Sequence, residues 1–134
     1  MHNRGLLIVK TFNEGKEITP SKTEQHTITP RDGKPLSIGV IWERWTNRNE
    51  GELLTFVMVT VEANKLISSI TDRMPAIVQP KDWAKWLGEE PASVDELKAM
   101  LTPFDGDWDM APQKKPKPPK PPKPPKPEPQ PTLF

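Results

Sequence analysis

From Gln113 to Gln130 the chain repeats Lys-Pro-Pro, and this repeat sets an upper limit on how much of the polypeptide can enter a folded core. Proline lacks the backbone N–H that a helix or a sheet ladder needs, so the segment is expected to run as polyproline II. At about 3.1 Å per residue it makes a semi-rigid spacer of roughly 55 Å. With the spacer set aside, the 134-residue chain has room for one small domain. Its expected organisation is a domain over 1–111, a linker over 112–129 and a terminal peptide over 130–134.

The spacer also distorts the charge. The net charge is +1, but six lysines (114, 115, 117, 120, 123 and 126) stand against Glu128 in the tail, leaving 13 basic and 17 acidic side chains elsewhere, a net of −4. If the folded part binds DNA, it therefore does so through a local basic patch, while the tail adds non-specific attraction. With no cysteine there can be no disulfide, thiolate metal site or thiol nucleophile, which fits a reducing compartment. The two histidines, His2 and His26, have no companion ligand spacing, so neither a metal nor another cofactor is expected. No apolar run approaches the ~20 residues of a membrane span, and no basic-then-apolar leader is present. The expected location is the cytoplasm, away from membranes, and the expected state is a monomer.

Short apolar runs separated by Gly, Pro, Asn and Asp predict an α+β domain. Gly5 to Phe12 reads as a buried strand and Gln25 to Thr29 as a half-exposed one. Pro30-Arg31-Asp32-Gly33 has turn chemistry. Leu36 to Trp45 and Leu53 to Val61 form a hairpin around a polar loop. Glu62 to Ile70 has helical spacing, followed by an extended Met74 to Gln79. Pro80 opens a helix that places Trp83, Trp86 and Leu87 on one face and ends at Gly88. Tryptophans at this spacing belong to a core more often than to a nucleic-acid platform. Ser93-Val94-Asp95-Glu96 matches a capping box, with Leu97, Met100 and Leu101 as the buried stripe of its helix.

Several of these segments resemble, in order, the SOS response-associated peptidase (SRAP) family. The resemblance runs through Arg4-Gly5-Leu6-Leu7 to Phe12-Asn13-Glu14, then Asp32-Gly33-Lys34-Pro35 and Ile41-Trp42-Glu43-Arg44-Trp45. It continues through Val59-Thr60-Val61-Glu62-Ala63-Asn64, Ile70-Thr71-Asp72-Arg73-Met74-Pro75, and Asp82-Trp83 with Trp86-Leu87. It implies a barrel-like β core with flanking short helices, here incomplete, followed by a disordered Pro/Lys-rich tail. It also implies covalent capture of abasic sites in single-stranded DNA. In the family a cysteine exposed as residue 2 offers an amine and a thiol that close a thiazolidine ring on the sugar aldehyde, with an associated autopeptidase activity.

Carried onto this chain, the resemblance places Glu14 at the family's catalytic glutamate, a proton shuttle; taken by itself, Glu14 reads as a solvated strand-end carboxylate. Arg73 falls on a DNA-phosphate contact, with a surface salt bridge to Asp72 or Glu43 as the equal alternative. Thr60 sits next to the site or is a plain β-former. Thr71 stands at the family's histidine position and cannot take up a proton near neutral pH. Position 2 is His2, and the family's N-terminal part, with its asparagine, is missing. The expectation is a C-terminal part of the domain, from a truncated or split copy or a frame begun at an internal methionine. Such a chain does not crosslink abasic DNA on its own, which leaves its standing as an enzyme open.

Gln130-Pro131-Thr132-Leu133-Phe134 resembles the peptide by which bacterial DNA-processing enzymes dock on the replication sliding clamp. Gln130 suits a polar pocket, and Leu133 and Phe134 suit an apolar groove. A second expectation is therefore a non-catalytic adaptor that binds the clamp through this peptide and DNA through its lysines.

Overall fold

A computed structural model describes residues 3–114 and 118–125; His2 and the clamp-type peptide Gln130 to Phe134 lie outside the described residues. Eight strands form three open sheets. The first has the order β1–β4–β5, from Asn3–Val9, Leu36–Asn47 and Gly51–Met58. The second has the order β2–β3–β8, from Phe12–Thr19, Lys22–Pro30 and Trp108–Pro112. The third pairs β6 (Thr60–Glu62) with β7 (Arg73–Pro75). All the ladders are antiparallel.

The β core with short flanking helices is as expected: the chain is mostly β, and its α-helices, α1 (Trp83–Leu87) and α2 (Val94–Met100), span 5 and 7 residues. The barrel-like closure is not: the core is made of open sheets. Closure requires the end strands of a sheet to pair with each other, and two three-stranded sheets supply too few strands.

The expected first strand is two strands. It breaks at Lys10 and Thr11, sending β1 into one sheet and β2 into the other. The expected run Leu53 to Val61 also divides. The Val59 amide donates to the Gly39 carbonyl (2.9 Å) and the Val59 carbonyl accepts from the Ala76 amide (2.8 Å), so the chain passes from β5 to β6 at this point. The helix expected over Glu62 to Ile70 shrinks to a 3-10 turn, Ile67–Ser69. Asn64 explains this: its Oδ1 accepts from the Ile67 amide (2.9 Å) while its Nδ2 donates to the Phe104 carbonyl (2.8 Å). A buried side chain spent on these two backbone groups holds a turn and leaves no room for further helical turns.

Leu97, Met100 and Leu101 are only partly buried and Leu87 is exposed, short of the buried stripe and face expected of them, while other local expectations hold. Gly33 adopts φ 69° in the turn after Pro30, and Gly88 ends α1 at φ 80°, where a side chain would be strained. Ser93 and Glu96 form the capping box. Trp86 is core, donating Nε1 to the Gly5 carbonyl (2.8 Å) and lying against Gly39, where an added Cβ would stand 3.1 Å from its ring. Strand β8 had no counterpart in the sequence reading. Pairing to β3 creates it, with Arg31 bridging Asp107 (2.9 Å) and Asp109 (2.8 Å) at the junction.

The core gathers Phe12, Ile28, Leu36, Ile38, Val61, Ile67, Met74, Ala76, Ile77 and Trp108 from all three sheets, with Phe12 and Trp108 edge to face at 5.6 Å. It positions the candidate groups. Phe12 fixes the face on which Glu14 lies two residues on, and buried Val61 and Met74 turn the alternate positions of β6 and β7, Thr60 and Arg73, outward.

Candidate functional site

On β6–β7 the Cα register pairs Glu62 with Arg73 and Thr60 with Pro75. Arg73 Nη2 donates to the Thr60 carbonyl at 2.8 Å and to its hydroxyl at 3.1 Å, and Nε reaches the same hydroxyl at 3.4 Å. Among the described residues no carboxylate lies within salt-bridge distance of Arg73, so the pairing with Asp72 or Glu43 held as an alternative is not made. The guanidinium instead grips one threonine with a single edge, Nε and Nη2, and leaves Nη1 without a protein acceptor among the described residues.

Beside this grip lies an open cavity of about 460 Å³, lined by Glu62, Ala63, Ser68, Thr71, Asp72 and Arg73. The 3-10 turn that Asn64 pins supplies Ser68 and leads into Thr71; the backbone bond from the Ala63 amide to the Asp72 carbonyl (3.0 Å) closes the base. Thr60, Thr71 and Arg73 are thus brought together. Two carboxylates against one guanidinium make the cavity acidic on balance, which disfavours burying a phosphate inside and suits a small neutral polar group.

Glu14 is not among the residues that line this cavity. It lies on β2 opposite His26 of β3, and no described hydrogen bond or ion pair links it to Thr60, Thr71 or Arg73. Half-buried with no compensating donor, its carboxyl is held above the usual carboxylate range by desolvation. His26 is buried on the same face, with Nε2 3.3 Å from Glu24 Oε1 and Nδ1 3.3 Å from the Glu24 carbonyl oxygen. Directly opposed side chains on one face of an antiparallel pair come within about 5 Å at Cβ.

Sequence reasoning missed this pairing. The alternation Gln25 to Thr29 was enough to put His26 and Ile28 on one face, but nothing local revealed which residue of β2 stands opposite. It also missed the acidic rim of Glu62 and Asp72 and the clamp made by Asn64. A larger cavity, about 600 Å³, is lined mainly by apolar side chains including Ile8, Leu36, Ile77, Trp83, Phe104 and Trp108. It also has polar side chains at Asp32, Lys34, Ser37, Gln79 and Asp107, but it contains none of the candidate residues, so the smaller cavity is the better match to them.

The SOS response associated peptidase (SRAP) family profile matches residues 1–115. The chain belongs to the SRAP family. Among relatives, this SRAP chain is 29% identical over 105 residues to abasic site processing protein YobE of Bacillus subtilis, covering 78% of this chain and 48% of that protein. It is 26% identical over 104 residues to YoqW of the same organism, also named an abasic site processing protein, covering 78% of this chain and 46% of that one. A solved protein of Bacteroides thetaiotaomicron shares the fold with a TM-score of 0.74 and 27% identity, over 85% of this chain and 50% of its own. A Bordetella bronchiseptica structure agrees in fold at a TM-score of 0.71 and 21% identity, over 84% of this chain and 56% of its own. The SRAP chain therefore spans about half the length of the relatives it matches. Among the described residues, no helix is long and apolar enough to cross a membrane.

Proposed function

We propose that this SRAP chain works in DNA repair, recognising abasic sites in single-stranded DNA at the β6–β7 cavity without trapping them covalently by itself. The observation that carries this is the grip of Arg73 on Thr60 beside a cavity that also holds Thr71, in a chain whose relatives are named abasic site processing proteins. An open-ring abasic sugar is small and neutral and offers one free hydroxyl on C4 and an aldehyde on C1, and threonine and serine hydroxyls with the two rim carboxylates match this donor and these acceptors. Arg73 is assigned the flanking phosphate through the rim, where its free Nη1 is available.

Glu14, which lies outside the cavity lining, is assigned the proton traffic of ring opening for a sugar whose C1 end extends from the cavity to within hydrogen-bond reach of β2. In that step the hemiacetal hydroxyl on C1 loses its proton to a base, the C1–O4 bond breaks, and O4 gains a proton to leave an aldehyde and an alcohol. A carboxyl held above its ordinary range retains a proton closer to neutrality, which suits an acid–base shuttle. The family's covalent step needs a thiol as well as an amine, and the chain contains no cysteine. The peptidase activity implied by the resemblance needs the same missing nucleophile.

The test is fluorescence anisotropy with two single-stranded oligonucleotides that differ only by one abasic site, followed by a denaturing gel. Tighter binding of the abasic strand and no covalent band are expected. Equal affinities sink the assignment, and a covalent band formed by the chain unaided sinks its non-covalent part.

The tail favours a second reading. Gln130, Leu133 and Phe134 follow a spacer whose described residues, 118–125, are exposed and carry no helix or strand. An adaptor that binds the sliding clamp would lose that binding on deletion of Leu133 and Phe134 and keep its affinity for DNA. Clamp binding that survives the deletion overturns this reading.

A further inference from the structure

The larger cavity, of about 600 Å³, is walled by the rings of Trp83, Phe104 and Trp108 together with Pro30, Pro35 and Pro80. Trp83 and Phe104 are half-buried and Pro35 and Pro80 exposed, so these rings are reachable from solvent. Their orientations are fixed: Trp83 Nε1 donates to the Val78 carbonyl (3.0 Å), and the Phe104 and Trp108 ring centres lie 5.8 Å apart. A further cavity of about 300 Å³ adjoins the first, sharing Ile77, Gln79 and Phe104 with it, and the two make one groove.

The groove has an acidic rim. Asp82 is the chain neighbour of Trp83, Asp105 of Phe104 and Asp107 of Trp108, and with Asp32 these carboxylates outnumber Lys34 and Lys81, the cations of the lining. Among the described residues Asp82 and Asp105 form no ion pair. Aromatic rings flanked by free carboxylates suit a ligand that carries apolar rings and cations side by side. The Lys-Pro-Pro segment is such a ligand. With three residues per turn, polyproline II sets Lys120 and Lys123 on one edge about 9 Å apart and gives the other two edges to proline. Helices of this kind dock on aromatic-lined grooves, and their preformed backbone keeps the ordering cost low. Charge also complements: six lysines face one glutamate in the tail, against 17 acidic and 13 basic side chains elsewhere. The described repeat, 118–125, lies beyond the residues that the SRAP profile matches.

The chain does not fill the groove with its own repeat. Gln113 ties the start of the tail to one end of β3, its amide donating to the Gln25 carbonyl (2.7 Å), whereas Trp108 and the groove stand at the Pro30 end. Residues 118–125 are exposed and line neither cavity. The repeat holds no glycine or asparagine with which to reverse. We propose that the groove receives residues 118–125 of a second copy of the chain, and that two copies exchange these segments reciprocally. Prolines lie on Trp83 and Phe104, and Lys120 and Lys123 lie beside Asp82 and Asp105. Exchange makes two contacts per pair, so docks that are weak singly hold together. This replaces the monomer expected from the sequence, and it makes no use of the assigned DNA site or of the clamp-type peptide.

The experiment is sedimentation velocity of the full chain over a concentration series. A reversible dimer is expected, weakened by added salt. Lys120→Glu/Lys123→Glu reverses the tail and Asp82→Lys/Asp105→Lys reverses the groove; each variant alone should dimerise roughly tenfold more weakly or worse while keeping the thermal melt of the parent. Mixed in equal amounts, the two variants should recover the dimer, because every groove then meets a tail of opposite sign. A chain that stays monomeric, a dimer that both variants retain, as pairing through the exposed edge of β5 would give, or a mixture that fails to recover would each overturn the proposal. None of these readouts involves DNA or the clamp, so failure here leaves the abasic-site reading standing.

Discussion

Arg73 and Thr60 stand 13 positions apart and lie diagonally across the β6–β7 ladder, where one guanidinium edge takes both oxygens of the threonine, the carbonyl at 2.8 Å and the hydroxyl at 3.1 Å. The hydroxyl aims the arginine. A guanidinium held by one edge presents the other in a defined direction, which an unpaired surface arginine does not.

Replacing that hydroxyl separates aim from charge. Thr60→Val keeps the side-chain shape and the carbonyl contact but removes one acceptor, at an expected stability cost of about 0.5–1.5 kcal/mol. Abasic-strand affinity should fall while Thr60→Ser retains it. Thermal melts and anisotropy on both variants check this.

Removing the guanidinium should show in the salt dependence. For a single strand each phosphate contact contributes roughly 0.7 to the slope of log affinity against log salt, so Arg73→Ala should lower that slope by about this amount. Arg73→Lys keeps the charge and the slope but cannot span both Thr60 oxygens, so its preference for the abasic strand should weaken. A titration series from low to moderate salt separates the two.

Glu14 predicts a pH dependence of defined sign. Its folded-state pKa lies above the unfolded value, so the unfolded state favours ionisation, and the fold loses stability as pH rises from the unfolded value through the folded one. Glu14→Gln should therefore be more stable than the parent near neutral pH and lose that advantage in acid. The effect is small because solvent screens a half-exposed carboxylate. Denaturant midpoints at neutral and acid pH decide it.

Asn64 predicts structural damage that spreads to the cavity. Asn64→Ala leaves the Ile67 amide and the Phe104 carbonyl without their partner, costing about 2–5 kcal/mol for two unsatisfied backbone groups. Exchange should speed up through Ile67–Ser69 and Thr71, while Asn64→Asp, which keeps the acceptor for Ile67, should recover part of the loss.

Gly39 predicts a packing limit. A methyl added there would stand 3.1 Å from the Trp86 ring and 3.2 Å from Val78 Cγ2. Gly39→Ala should cost about 1–3 kcal/mol as α1 is pushed off β4, with Trp86 fluorescence reporting the shift.

What the sequence determined unaided is the local chemistry. The turn at Gly33, the stop at Gly88 and the box at Ser93 and Glu96 depend on residues within a few positions of one another, and each was legible. So were the hairpin of β4 with β5, the core role of Trp86, the family, and the absence of a thiol. Tertiary structure decided which distant residues meet. Whether Glu14 faces His26, whether Arg73 turns to Thr60 or to a carboxylate, and whether β8 exists at all depend on strand register, and a one-residue slip would reverse every face. Barrel closure was likewise decided by which strands pair, since two three-stranded sheets are too few to close. A strand carries its pattern in its own residues, but its partner is supplied by the rest of the fold, and β5 has one of its edges filled.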